Sequence, residues 1–176
     1  MFYKLYVMPK PPSANYPSYF QRYISLVEED DLQTAFKNQL PVITAFLQSI
    51  TEEKSNYAYA PGKWTIKELL QHMTDTERIF AFRSLCFARK EQASLPGFDE
   101  DAYAANSNAN SRSWEDLVNE FLLVRKTSEI LFDSFTEEAL NNSGTANSNP
   151  ATAASMGFTA IGHVYHHKKI LEERYL

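Results

Sequence analysis

Residues 65–90 read TIKELLQHMTDTERIFAFRSLCFARK, and this stretch decides the fold. Its first four residues, Thr65-Ile-Lys-Glu68, make a capping box: the Thr65 hydroxyl accepts from the Glu68 amide while the Glu68 carboxylate reaches back to the Thr65 amide. Ile66, Leu69, Leu70, Met73, Phe80 and Phe87 then recur at helical spacing and form one apolar stripe. The pattern predicts a helix to about Lys90, stopped by Leu95-Pro-Gly-Phe-Asp99. On the shoulder of the stripe, roughly 80° from its centre, stands His72.

Outward from this helix, others follow. Asp30 and Asp31 are N-cap residues, and Leu32, Ala35, Phe36, Leu40, Ile43, Phe46 and Leu47 predict a helix over about 31–49. Pro41 lies inside it and removes a backbone donor, so a kink or break is expected there. Ser113 caps a third helix with Asp116 in its first turn; Trp114, Leu117, Phe121, Val124, Ile130 and Leu131 are expected to face inward, up to about Phe135. A last helix is predicted over about 156–175, with Ile161, Val164, Ile170 and Leu171 as its stripe. Residues 92–112 and 141–155 read as long polar loops, and a loop of this length in a compact domain is often functional. The Pro- and Tyr-rich start, residues 1–30, reads as an extended arm with a short helix around 19–27. No run alternates with period two long enough to require a strand. The expectation is an all-α single domain over 1–176: an N-terminal arm, then, over 31–176, a four-helix bundle of up-down-down-up type with long crossover loops.

Composition narrows the function. A chain of 176 residues with 44% hydrophobic and 22% charged residues folds rather than staying disordered. A net charge of −5 without a clustered Lys/Arg surplus argues against nucleic acid as partner. The single Cys excludes an internal disulfide and a cysteine-based zinc site, and fits a reducing compartment. The first residues lack the apolar core of a signal peptide, and no stretch approaches the roughly 18 apolar residues of a membrane span. A cytoplasmic protein without membrane association is therefore expected.

The four histidines fall in two helices: His72 in the second, His163, His166 and His167 in the last. Two imidazoles four residues apart on one helical face can grip one ion, and a third from a neighbouring helix completes a three-nitrogen site that leaves a position open. Taking about 100° per residue, His163 lies roughly 90° and His167 about 50° from the centre of the last stripe, whereas His166 lies about 150° away and points to solvent. His72, His163 and His167 thus stand on the shoulders of two apolar faces. The plainer alternatives are a hydrogen-bonded boundary residue for His72 and solvated histidines near a helix C-terminus for the cluster.

The segments YAPGKWTIKELLQHMTDTERIFAFRSLCFAR, LPGFDEDAYA and IGHVYHHKKILEERYL resemble the DinB-like (YfiT-like) superfamily of four-helix-bundle proteins over roughly 31–175. The most specific parts are GKW before the second helix, its His followed by TER, and the GHxxHH block of the last helix. The resemblance implies a divalent metal on His72, His163 and His167, zinc or nickel in most members, with iron and manganese also able to accept imidazole. It also implies frequent homodimers, and small-molecule chemistry of two kinds: thiol-dependent S-transfer, with a low-molecular-weight thiol as cosubstrate, and metal-dependent hydrolysis. It does not choose between them, because one scaffold hosts several chemistries.

Around such a centre the candidates for orienting an imidazole or holding substrate are Asp75, Glu77, Arg78, Arg83 and Tyr165, each also readable as a solvated or ion-paired surface residue. Arg89 and Tyr59 are weaker candidates of the same kinds. No catalytic residue is assigned. Trp64 and Trp114 are expected to pack the helix starts, and Cys86 to be a small buried hydrophobe. The segment FDEDAYAANSNAN (98–110) is a candidate pocket lid. Two non-enzymatic readings stand beside the enzymatic one: a stress-response protein in which an ion staples two helices, and a homodimeric interaction module with vestigial histidines.

Overall fold

The computed structural model describes residues 7–176. Residues 1–6 of the expected arm lie outside the described residues. In chain order the elements are α1 (Gln21–Ile24), α2 (Leu32–Gln48), α3 (Glu52–Ser55), α4 (Ile66–Ala88), α5 (Glu100–Asn106), α6 (Trp114–Asp133), α7 (Glu137–Asn141), a hairpin of β1 (Ser143–Ala146) and β2 (Asn149–Thr152), and α8 (Ala153–Arg174).

The long helices start where their caps say they should. Asp31, Thr65 and Ser113 each accept the amide proton three residues on, and Glu68 closes the capping box on Thr65. Helix α8 begins three residues before the predicted start, because Thr152 and Ser155 form a second capping box. α2 runs unbroken through Pro41. Pro41 and Lys37, whose carbonyl loses its donor, are both exposed, so water satisfies what the ring removes.

Contacts between helices and at their ends define the bundle. α4 packs on α6 and α8, and α2 packs on the same two, so α2 and α4 stand diagonally opposed. At one end the Trp114 indole donates to the Leu47 carbonyl at 3.0 Å, and Glu52 accepts both from the Trp114 amide and from Lys67. The end of α2 and the starts of α4 and α6 therefore share that end. At the other, the Ser84 hydroxyl donates to the Ala153 carbonyl at 3.2 Å, and Gly157 faces the side chains of Leu32 and Phe132. The order is up-down-down-up, as expected, and the long crossovers are what allow it.

Two predicted loops contain structure. Within 92–112, Asp99 caps α5 by accepting from the Ala102 amide, and a 3₁₀ turn spans Ala109–Ser111. Within 141–155, β1 and β2 pair antiparallel about a two-residue turn in which Asn147 and Ser148 both have positive φ, 49° and 60°. Gly144 lets this hairpin lie on the end of α4: a Cβ there would sit 2.1 Å from the Phe87 ring. The short helix expected at 19–27 is a 3₁₀ turn followed by α1. Ile130, expected inward, is 58% exposed; Arg125 and Ser128 take the inner face of α6 instead.

The core divides into two apolar clusters. One gathers Leu32, Phe36, Phe80, Phe87, Phe132, Phe158 and Ile161; the other Ile43, Leu47, Leu69, Met73, Trp114, Phe121, Val164 and Leu171. On each long helix buried polar residues fall between them: Gln39 on α2, Thr74, Thr76 and Glu77 on α4, Arg125 and Ser128 on α6, and His163 on α8. The candidate site grows out of this polar layer.

Candidate metal centre

His72 on α4 and His163 and His167 on α8 turn their Nε2 atoms toward one point. His163 Nε2 lies 3.2 Å from His72 Nε2 and 3.0 Å from His167 Nε2, and the ligand atoms of all three fall within 4.8 Å of one another. The packing of α4 against α8 brings them together, and the shoulder positions read from the helical wheel aim them inward. His166 is half-buried and lies outside the cluster, its ring 5.3 Å from Tyr23.

The donor chemistry fits a cation. Neutral imidazole carries one proton, so His163 Nε2 cannot satisfy both neighbours by hydrogen bonding. A tetrahedral ion with nitrogens at about 2.0–2.1 Å would set them roughly 3.3 Å apart, close to the observed spacings. Burial above all holds the His72 imidazole down to about 4, with Asp101 pulling weakly the other way. Burial, reinforced by the neighbouring imidazoles, pushes His163 and His167 well below the usual histidine range. All three are neutral near pH 7, the form that ligates.

Aromatic rings wall the cluster: Trp64 stands 4.9 Å from His72, and Tyr23 and Phe80 lie 5.4 and 6.1 Å from His163. Tyr23 comes from α1, which approaches α8 so closely that a Cβ on Gly162 would be 2.0 Å from the Tyr23 carbonyl. A cavity of about 410 Å³ opens on all three histidines and runs past Thr76 and Phe80 to Arg83, with Arg22, Phe98 and Glu100 also lining it. A second, of about 320 Å³, meets the first at Trp64 and His167 and is bounded by Asp101, Arg174 and Tyr175. The 98–110 segment thus sits over the site through Phe98 and Glu100.

The other sequence candidates disperse. Asp75 accepts from Gln71 and pairs with Arg78, which also pairs with Glu120 of α6 at 2.6 Å. Glu77 is 2% exposed and pairs with the equally buried Arg125 at 3.1 Å. Tyr165 lines a separate cleft beside Glu28 and Glu29, where burial raises its phenol. Of that group Arg83 alone lines the cavity with the histidines. Tyr23, Arg22, Thr76 and Glu100 were missed as site residues, although Thr76 begins the TER motif and Glu100 lies in the 98–110 segment. Trp64 was read as packing; its place in GKW was the signal for more. Trp114 packs the start of α6 as expected, and Cys86 is half-buried, its thiol raised by burial.

Among solved structures, two resemble this one. YfiT from Bacillus subtilis, described as "a probable metal-dependent hydrolase with an unusual four-helix bundle topology", superposes with a TM-score of 0.67 at 14% identity, over 94% of this chain and 91% of that one. The mycothiol-dependent maleylpyruvate isomerase superposes with a TM-score of 0.64, also at 14% identity, over 78% of this chain and 58% of that longer one. At such identity the likeness is one of fold. No curated protein matches by sequence. The sequence model of the DinB superfamily, in contrast, matches residues 35–171, the whole span from the first turn of α2 to the histidine helix, and the chain belongs to that superfamily.

Proposed function

We propose that this protein is a metal-dependent enzyme acting on a small molecule, with a divalent ion, zinc or nickel before iron or manganese, on His72, His163 and His167. One observation carries the reading: three buried, neutral imidazoles converge at the wall of a cavity of about 410 Å³ rather than inside a closed core. A structural site is closed; a catalytic one keeps a position facing substrate. Such an ion supplies Lewis acidity, lowering the pKa of a coordinated water or thiol or polarising a carbonyl. The chain's residues do the rest. The imidazoles stay unprotonated in their buried setting, Tyr23, Trp64 and Phe80 exclude water and present flat apolar walls, and Glu100 stands at the rim.

The activity is S-transfer with a low-molecular-weight thiol or hydrolysis of a small ester or amide. Two cavities meeting at His167 suit a two-substrate transfer; a single water-activating site suits hydrolysis. We place the protein in the cytoplasm, as the lone Cys86 suggests, and expect a homodimer. Phe82 of α4 and Leu123 and Ile130 of α6 are exposed on helices that pack together. Leu123→Lys is expected to shift a dimer to monomer in analytical ultracentrifugation; a wild-type monomer would remove that expectation.

Elemental analysis of untagged protein tests the centre. One ion per chain is expected, lost in His72→Ala, His163→Ala and His167→Ala and kept in His166→Ala. Metal-free wild-type protein, or equal loss in His166→Ala, would end the reading. Turnover by the loaded protein of a thiol plus an electrophile, against esters and amides, then separates the two activities.

A further inference from the structure

One buried cation at the candidate site has no carboxylate partner among the described residues. Arg83 is 6% exposed, yet its hydrogen bond among the described residues runs from Nη2 to a neutral acceptor, the Pro96 carbonyl, at 2.8 Å. Among the described residues no carboxylate lies within ion-pair distance of it, whereas the other deeply buried cations, Lys67 and Arg125, are paired with Glu52 and Glu77. A buried charge is normally paired, because leaving water costs more than a single neutral hydrogen bond returns. Arg83 instead lines the cavity that holds the histidines.

The helix sets the geometry. His72, Thr76, Phe80 and Arg83 follow at i, i+4, i+8 and i+11, three full turns on one face of α4, so His72 and Arg83 start about 16 Å apart along the axis. Phe20, Tyr23 and Phe80 wall the space between. The charged groups facing it are few: Arg22, which donates to the Tyr23 hydroxyl at 2.7 Å, and Glu100, both exposed at the rim. One buried guanidinium with an acid at the entrance suits a single negative charge better than a dianion.

We infer that the cavity selects a small organic monoanion, an aromatic or aliphatic carboxylic acid whose carboxylate pairs with Arg83 while its apolar body lies along Phe80 and Tyr23 and its far end reaches the three histidines. This deepens the metal-enzyme reading by naming its substrate class, and it rests on that reading only for the role of the far end. Arg83 is a specificity-determining residue that forms a charge-assisted pair in a site screened from water.

An isosteric pair tests it: 3-phenylpropanoate and the neutral 3-phenylpropanamide, titrated calorimetrically into zinc-loaded and chelator-treated protein. Wild-type protein is expected to bind the acid about tenfold more tightly than the amide. Arg83→Met is expected to reduce that preference below about threefold with the amide affinity and the zinc content unchanged, and Arg83→Lys to restore part of it. The wild-type comparison needs no variant, so a misfolded Arg83→Met protein leaves the test standing. Equal binding of acid and amide, no saturable binding of either, or an unchanged preference in folded Arg83→Met overturns the inference. The acid preference of chelator-treated protein is read independently of metal content, so failure of the metal centre and failure of the anion site give different results.

Discussion

His163 is the residue on which the site turns. It sits where the two apolar clusters of the core meet, in the layer that also holds Gln39, Glu77 and Arg125, and it is the imidazole close to both others. The same layer contains the most deeply buried ion pair among the described residues. Arg125 and Glu77 are each 2% exposed, and the guanidinium also lies over the rings of Phe36 and Phe121. Removing one partner strands a buried charge. Arg125→Met alone is expected to cost about 3–5 kcal/mol in urea denaturation, and Arg125→Met with Glu77→Leu distinctly less, since the desolvation cost goes with both charges. Equal losses in the single and double variants would mean that Arg125 acts through packing. None of this was legible residue by residue: Glu77 looks like any helix-surface acid until α6 supplies its partner.

At the scale of elements, two close approaches hold the site together. Gly162 admits α1 against α8, and with it Tyr23 against His163. Gly162→Ala is expected to lower stability by about 1–3 kcal/mol through overpacking and to perturb the Tyr23 ring signals by NMR; unaltered stability would show that α1 shifts freely. At the end of the bundle where α4 and α6 start, Glu52 of α3 ties the two together. The Lys67 hydrogen bond first, then the Trp114 amide, hold its carboxyl below the usual range. A depressed folded-state value gives stability that is fully present above the unfolded carboxylate range, near 4.5, and lost as pH falls through the folded value. Glu52→Gln should therefore lower the melting temperature at neutral pH and flatten its fall below pH about 4.5. Parallel melting curves for the two proteins in acid would contradict this. Elements with strong local signals were read correctly: the capping box of α4, the Ser113 cap of α6 and, Ile130 apart, their stripes are short-range patterns. The hairpin was not, because Asn147-Ser148 lacks the glycine that usually marks a tight turn, and α5, at 7 residues, is too short to show a helical stripe.

For the whole molecule the proposed ion would join the second and last of the four long helices, α4 and α8. Binding to the folded state alone raises stability with free metal concentration. Chelation is thus expected to lower the melting temperature by several degrees, and added zinc to restore it in wild-type but not in His167→Ala protein. A melting temperature indifferent to chelator would separate the histidine cluster from any metal.

The amino-acid sequence by itself determined the four long helices, the caps of the first three, and the orientation of three histidines on the shoulders of two apolar stripes, because all of these are set by spacing within one helix. Tertiary structure alone decided which stripe faces which. It buried Glu77 against Arg125 while leaving Ile130 in solvent, and brought α1 and α5 over the histidines. It also singled out Arg83, from the arginines of α4, as the one facing the site. The reason is physical: the period of a helix is local, but charge pairing and burial depend on neighbours that lie tens of residues away along the chain and are chosen only when the crossovers close.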